Sequence, residues 1–191
     1  SLRRGRDARA CVAAVAELAI APASPTSRPW WRWLWLAAAV IVLDLATKWW
    51  VVAVFREGQE LPVTSFMSLV LAYNTGAAFS FLAGADGWQR WFFAAVAVAA
   101  SVVIVILLKR DGNRMYCLGL ALILGGALGN LWDRVTIGRV TDFLLFHYQG
   151  WSWPAFNVAD SAITVGAALL ILDSFRAHPS AAVSAPREER R

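Results

Sequence analysis

Two aspartates stand out in a chain that is otherwise strongly apolar: Asp142 in "RVTDFLLF" and Asp160 in "FNVADSAITVG". Two carboxylates that meet in a dry pocket do not both ionise readily, so one keeps a proton while the other can take one from water. An aspartic peptidase uses this arrangement to activate water and protonate a leaving amine, and such a pair titrates as a unit. Spacing alone admits plainer roles. Asp142 could be a loop aspartate, and Asp160 a charge that complements the N-terminal end of a helix.

Other polar residues collect nearby. Asn130, Asp133 and Arg134 follow one another at spacings of three and four, so Asn130 and Arg134 share a helix face, where an end cap or an ion pair is the alternative reading. In "NTGAAFSF", Gly76 permits a tight backbone and Asn74 offers donors and acceptors; alone, this is a turn. Asp44 and Lys48 stand i to i+4, which predicts an ion pair on one helix face that ties the helix to its neighbours. Cys11 and Cys117 are far apart, and His147 and His178 lack ligand-spaced neighbours, so neither a disulfide framework, a metal nor a cofactor is expected.

The elements that must carry these groups follow from composition. Of the 191 residues 59% are hydrophobic and only 16% charged, against about a quarter charged in soluble domains. With a mean hydropathy of +0.53, such a chain needs a solvent other than water. Four segments of roughly 20 residues can cross a bilayer, at about Trp33–Val54, Trp88–Leu108, Met115–Trp132 and Asn157–Phe175. A fifth run, Phe66–Gly84, is interrupted by Asn74, Thr75, Gly76 and Ser80, and its alternating "PVTSFMSLVL" reads as strands or a half-buried excursion. "RVTDFLLF" likewise alternates as a short strand. From a helix start at Asn157, Asp160 lies about 5 Å inside the last span, so both aspartates can sit near the outer membrane surface.

Basic residues set the expected orientation, because Lys and Arg gather on the cytoplasmic side. Four spans place thirteen Lys and Arg on the side of both termini and four on the other, with Lys48 inside the first span. Both termini are therefore expected in the cytoplasm and the aspartates on the outer side. The formal charge of +5 is explained by this topology; no base-reading pattern accompanies it, and nucleic acid is not an expected partner. Trp30, Trp31, Trp33, Trp35, Trp49, Trp50, Trp88, Trp91, Trp151 and Trp153 fall mostly at span ends, as interfacial anchors do. Gly125, Gly126 and Gly129 form a stripe that lets another helix approach closely.

The chain thus divides into an N-terminal extension (1–28), a four-helix membrane domain (29–178) with outer segments 55–87 and 133–156, and a disordered basic tail (179–191). The extension superficially resembles a signal peptide, but Glu17 interrupts its apolar part and the first span can serve as its own insertion signal.

Four motifs in order, "DLATK" (44–48), "NTGAAFS" (74–80), "GGALGNLWDRVTIGRVTDF" (125–143) and "FNVADSAITVG" (156–166), resemble the prolipoprotein (type II) signal peptidases of bacterial inner membranes. The resemblance implies a four-helix membrane aspartyl endopeptidase with a small extracytoplasmic β-cradle and a mobile amphipathic flap. Its substrate would be a diacylglyceryl-modified prolipoprotein, cut on the N-terminal side of the lipidated cysteine by a monomer among membrane lipids. Carried over by motif position, Asp142 and Asp160 become the catalytic pair. Asn74, Gly76, Phe79, Asn130, Arg134 and Asn157 line the site, and Asp44, Lys48 and Asp133 support it. Two other classes remain: a small transporter or channel, whose polar groups should spread over several depths, and a noncatalytic scaffold, which would leave the aspartate pair unexplained.

Overall fold

The computed structural model describes residues 29–76, 87–110 and 112–176. Its helices are α1 (Arg32–Val54), α2 (Gln89–Leu108), α3 (Arg114–Thr136) and α4 (Val158–Arg176), and its strands β1 (Glu60–Pro62), β2 (Met67–Asn74), β3 (Val140–Tyr148) and β4 (Trp151–Ser152). All four helices are long and apolar enough to cross a membrane. Their outward faces carry Val42, Leu43, Val98, Val102, Val103, Ile106, Val165 and Ile171, all exposed, as hydrocarbon and not water requires. The expected extension 1–28, the tail from 179 and Phe79 lie outside the described residues, and the flap is not among the described elements.

The third helix is central and packs against the other three. Its glycines work in two directions. Gly119 and Gly126 face α4: a methyl at Gly126 would fall on the Ala159 carbonyl oxygen, and one at Gly119 would lie 2.8 Å from the Gly166 oxygen. Gly125 and Gly129 face α1, where added Cβ atoms would come within 2.8 Å of the Ala37 oxygen and 2.7 Å of Asp44 Oδ2. The stripe thus brings two helices onto α3 at backbone distance.

The first helix buries a single strip, Ala37, Val40, Asp44, Lys48 and Val51, at spacings of three and four. Two of its five members are charged, and both point at α3. The other end of α3 differs from expectation: it continues past Trp132 to Thr136, so Asp133 and Arg134 occupy its last turns and not the outer segment. Gly138 stops it, adopting φ +78° and returning its N–H to the Asp133 oxygen at 3.1 Å.

The strands between α1 and α2 and between α3 and α4 pair into one antiparallel sheet of order β1-β2-β3-β4. Ala72 opposes Asp142 and Asn74 opposes Val140, which puts Asn74 and Asp142 on one face as diagonal neighbours. After β4 the chain runs back along β3, with Trp153 N–H bonded to the Phe146 oxygen at 2.8 Å and Phe156 N–H to the Leu144 oxygen at 3.0 Å. That return delivers Asn157 to the start of α4.

Candidate active site

Where the sheet meets the C-terminal end of α3 and the N-terminal end of α4 there is a cavity of about 760 Å³, within the size range of ligand sites. Its polar wall holds Asn74, Asn130, Arg134, Asp142 and Asp160, and its apolar wall includes Phe146, Trp151, Trp153 and Phe156. Four elements thus supply the polar wall: β2 carries Asn74, α3 carries Asn130 and Arg134, and β3 and α4 carry one aspartate each.

Asn157 organises the pair. As the residue preceding α4, its Oδ1 accepts the Asp160 N–H at 2.9 Å, and Asp160 Oδ2 accepts the Asn157 N–H at 3.2 Å. This is a capping box with Asp in the place of Glu, and it satisfies two backbone donors at once. The Asn157 amide nitrogen meanwhile donates to Asp142 Oδ1 at 2.7 Å, to Asn130 Oδ1 at 3.1 Å and to the Thr141 oxygen at 3.2 Å. One fully buried side chain therefore touches both aspartates.

The two carboxyls differ in surroundings. Asp142 is 3% exposed; burial, and after it the nearby Asp160 charge, push it up to about 7. Hydrogen bonds from Asn157 and Asn74 and the positive charge of Lys48 pull the other way and are outweighed. Asp160 accepts Asn130 Nδ2 at 2.7 Å on Oδ1 as well as the backbone N–H on Oδ2. One partner is thus buried at the edge of its ionisation while the other is met by donors on both oxygens, an asymmetry suited to general acid–base work.

Behind the cavity lies an ionic cluster. Lys48 Nζ stands 2.8 Å from Asp44 Oδ2 and 3.2 Å from Asp133 Oδ2, and donates to Asn130 Oδ1 at 3.0 Å. Asp133 Oδ2 also accepts the Thr141 N–H at 2.9 Å, fixing β3 one residue before Asp142. Asp44 Oδ1 accepts the Ala159 N–H at 2.9 Å, so its negative charge sits on the N-terminal turn of α4, where the helix dipole favours it. Each of these buried charges has a partner, as a low-dielectric site demands.

Arg134 Nη2 donates to the Gly76 oxygen at 3.0 Å and Nη1 to the Asn130 oxygen at 3.2 Å, with the guanidinium 5.3 Å from the Phe93 ring centre. Asn74 Oδ1 accepts the Gly76 N–H at 2.9 Å, closing the turn that its spacing suggested. The structure therefore gathers Asn74, Gly76, Asn130, Arg134, Asn157 and both aspartates in one place. Sequence reasoning did not select Trp151 and Trp153 as lining residues, because both resemble membrane anchors. It also did not select Phe146, Phe156, Ser161 or Thr164, whose only signal was proximity to an aspartate.

Comparison with known proteins gives concordant results. The family model described as Peptidase_A8, signal peptidase (SPase) II, matches residues 36–176. The chain is 57% identical to a lipoprotein signal peptidase of Ralstonia nicotianae and 60% identical to one of Paraburkholderia phytofirmans, in each case over 75% of this chain and 84% of the relative. A Burkholderia multivorans lipoprotein signal peptidase is 54% identical over 81% of this chain and 92% of its own. Among solved structures, a bacterial membrane enzyme superposes with a TM-score of 0.70 at 27% identity, covering 83% of this chain and 94% of the other.

Proposed function

Because the chain belongs to the signal peptidase II family, we propose that Asp142 and Asp160 are the aspartates with which it hydrolyses its substrate. It is a multi-pass membrane aspartic peptidase that removes signal peptides from prolipoproteins. The observation that carries the residue assignment is a shared cavity lined by both aspartates, in which one buried carboxyl, pushed up to about 7, lies beside a second that donors hold on both oxygens.

In this reading the ionised carboxylate takes a proton from water as the water oxygen bonds to the scissile carbonyl carbon, and the carbonyl oxygen takes the proton of the other carboxyl. On collapse the C–N bond breaks, the amine receives the proton first taken from water, and the hydroxyl returns its proton to the acid partner. Asn157 and Asn130 hold the carboxylates in place. Arg134 fastens the Asn74–Gly76 turn to α3 and keeps a positive charge beside the pair. The bond cut is the one before a cysteine that carries diacylglyceryl. Such a substrate approaches within the bilayer, and the cavity supports this by combining an aromatic and aliphatic wall with polar groups at the outer helix ends.

Both termini lie in the cytoplasm and the cavity opens toward the outer face of the inner membrane, a reading supported by the distribution of basic residues. The enzyme is read as a monomer. The test is cleavage in liposomes of one precursor prepared with and without diacylglyceryl on its cysteine, with products read by mass. Cutting of the lipidated form alone, immediately before the cysteine, is expected; equal cutting of both forms would refute the lipid requirement.

A further inference from the structure

Spacing alone makes Lys48 half of an i, i+4 pair, yet its ammonium has three acceptors, and only one of them is Asp44. The other two, Asp133 Oδ2 at 3.2 Å and Asn130 Oδ1 at 3.0 Å, lie on α3. The Asn130 contact matters for chemistry because a carboxamide has one accepting end and one donating end. Lys48 Nζ and Asn157 Nδ2 both donate to Asn130 Oδ1. The donating end must therefore face the other way, where Nδ2 meets Asp160 Oδ1 at 2.7 Å. Turned over, the amide would set its N–H₂ against an ammonium and its oxygen against a carboxylate.

We propose that Lys48 is a positioning residue for the reaction: through the Asn130 amide it fixes a hydrogen-bond donor on Asp160, which assigns Asp160 to take the proton from water and Asp142 to carry one. This rests on the reading of Asp142 and Asp160 as the catalytic pair. The charged groups that face the pair are Asp44 and Lys48 from α1, Asp133 and Arg134 from α3, Asp142 from β3 and Asp160 from α4. Lys48 also acts on Asp142 through its charge, which lowers a carboxyl that burial raises. Removing that charge leaves Asp142 protonated to higher pH.

The experiment measures kcat and KM against pH in liposomes, per folded molecule, for the native protein, Lys48→Met, Lys48→Arg and Asn130→Asp, with Asp142→Asn and Asp160→Asn as controls. Lys48→Met is expected to lose kcat about 10-fold or more with KM little changed, and to move the basic limb of the profile to higher pH. Lys48→Arg, which keeps the charge, is expected to restore the limb. Asn130→Asp keeps an acceptor for Lys48 but offers Asp160 no donor unless protonated, so its activity should be low at neutral pH and recover toward acid pH. It carries the test if Lys48→Met does not accumulate. A native kcat and unmoved profile in Lys48→Met, or full neutral activity in Asn130→Asp, would overturn the proposal and leave Lys48 a residue of the fold. Cleavage by either aspartate control would instead overturn the assignment of the pair itself.

Discussion

Asn157 and Asp160 cap each other: the Asn157 side chain accepts the Asp160 N–H at 2.9 Å, and the Asp160 side chain accepts the Asn157 N–H at 3.2 Å. The residue proposed to do chemistry thus also begins the helix that holds it. Its two duties can be separated by substitution, because a capping oxygen survives in Asn but not in Ala.

Asp160→Asn and Asp160→Ala are both expected to lose cleavage, on the order of 10,000-fold as when other catalytic groups are removed. Asp160→Ala should also lose about 1 kcal/mol of stability with the cap. Thermal unfolding in detergent beside a cleavage assay separates the two effects. Full activity in either variant would remove Asp160 from the pair.

Asp142 ties function to stability through pH. An ordinary aspartate releases its proton near 3.8, whereas Asp142 keeps its own to about 7. Between those values the unfolded chain binds fewer protons than the folded one, so this group makes stability fall as pH rises through the window and level off above it. Asp142→Asn is therefore expected to melt above the native protein at roughly pH 8 and to match it at roughly pH 4, while cleavage is lost. An equal difference in Tm at both pH values would contradict the assigned burial effect.

Gly126 is placed so that an added methyl would fall on the Ala159 carbonyl oxygen and 2.7 Å from Ile163 Cγ1. Gly126→Ala should force α3 and α4 apart at a cost of about 1–3 kcal/mol. Because Ala159 stands between Asn157 and Asp160, activity per folded molecule should drop as well. A variant unchanged in both Tm and turnover would show that the crossing yields more easily than its backbone contacts imply.

Topology can be read chemically at the α2–α3 hairpin. With Cys11 and Cys117 replaced by Ser, Gly112→Cys should react with a membrane-impermeant thiol reagent only after the membrane is opened. Ready labelling of intact cells would invert the proposed orientation.

Much of this architecture follows from local pattern. Four apolar runs became α1 to α4, and the alternation around Asp142 became β3, because burial on one face imposes a period that the sequence must display. The spacing of Asn130, Asp133 and Arg134 marks a shared helix face, but the apolar run ends at Trp132 while α3 continues to Thr136, held by contacts from Asp133 and Arg134 across the molecule. Lys48 shows the same difficulty in sharper form. An i, i+4 rule finds Asp44, but Asn130 is 82 residues away, and no local spacing encodes that contact. Trp151 and Trp153 were hidden differently: an aromatic at a membrane interface and an aromatic in a cavity wall have one composition, and only the return of the chain along β3 distinguishes them.

The bond from the Ala159 N–H to Asp44 Oδ1 joins residues 115 positions apart, which has a consequence for biosynthesis. Asp44 leaves the ribosome with the first span, and Ala159 follows only with the last. Until α4 is inserted, Asp44 has Lys48 beside it on its own helix, so the first span can enter the bilayer as an internally neutralised segment. A nascent chain therefore cannot assemble this cavity early. The wall that carries Asp160 arrives only with α4, so the polar lining of the cavity is complete only once the last helix is in place.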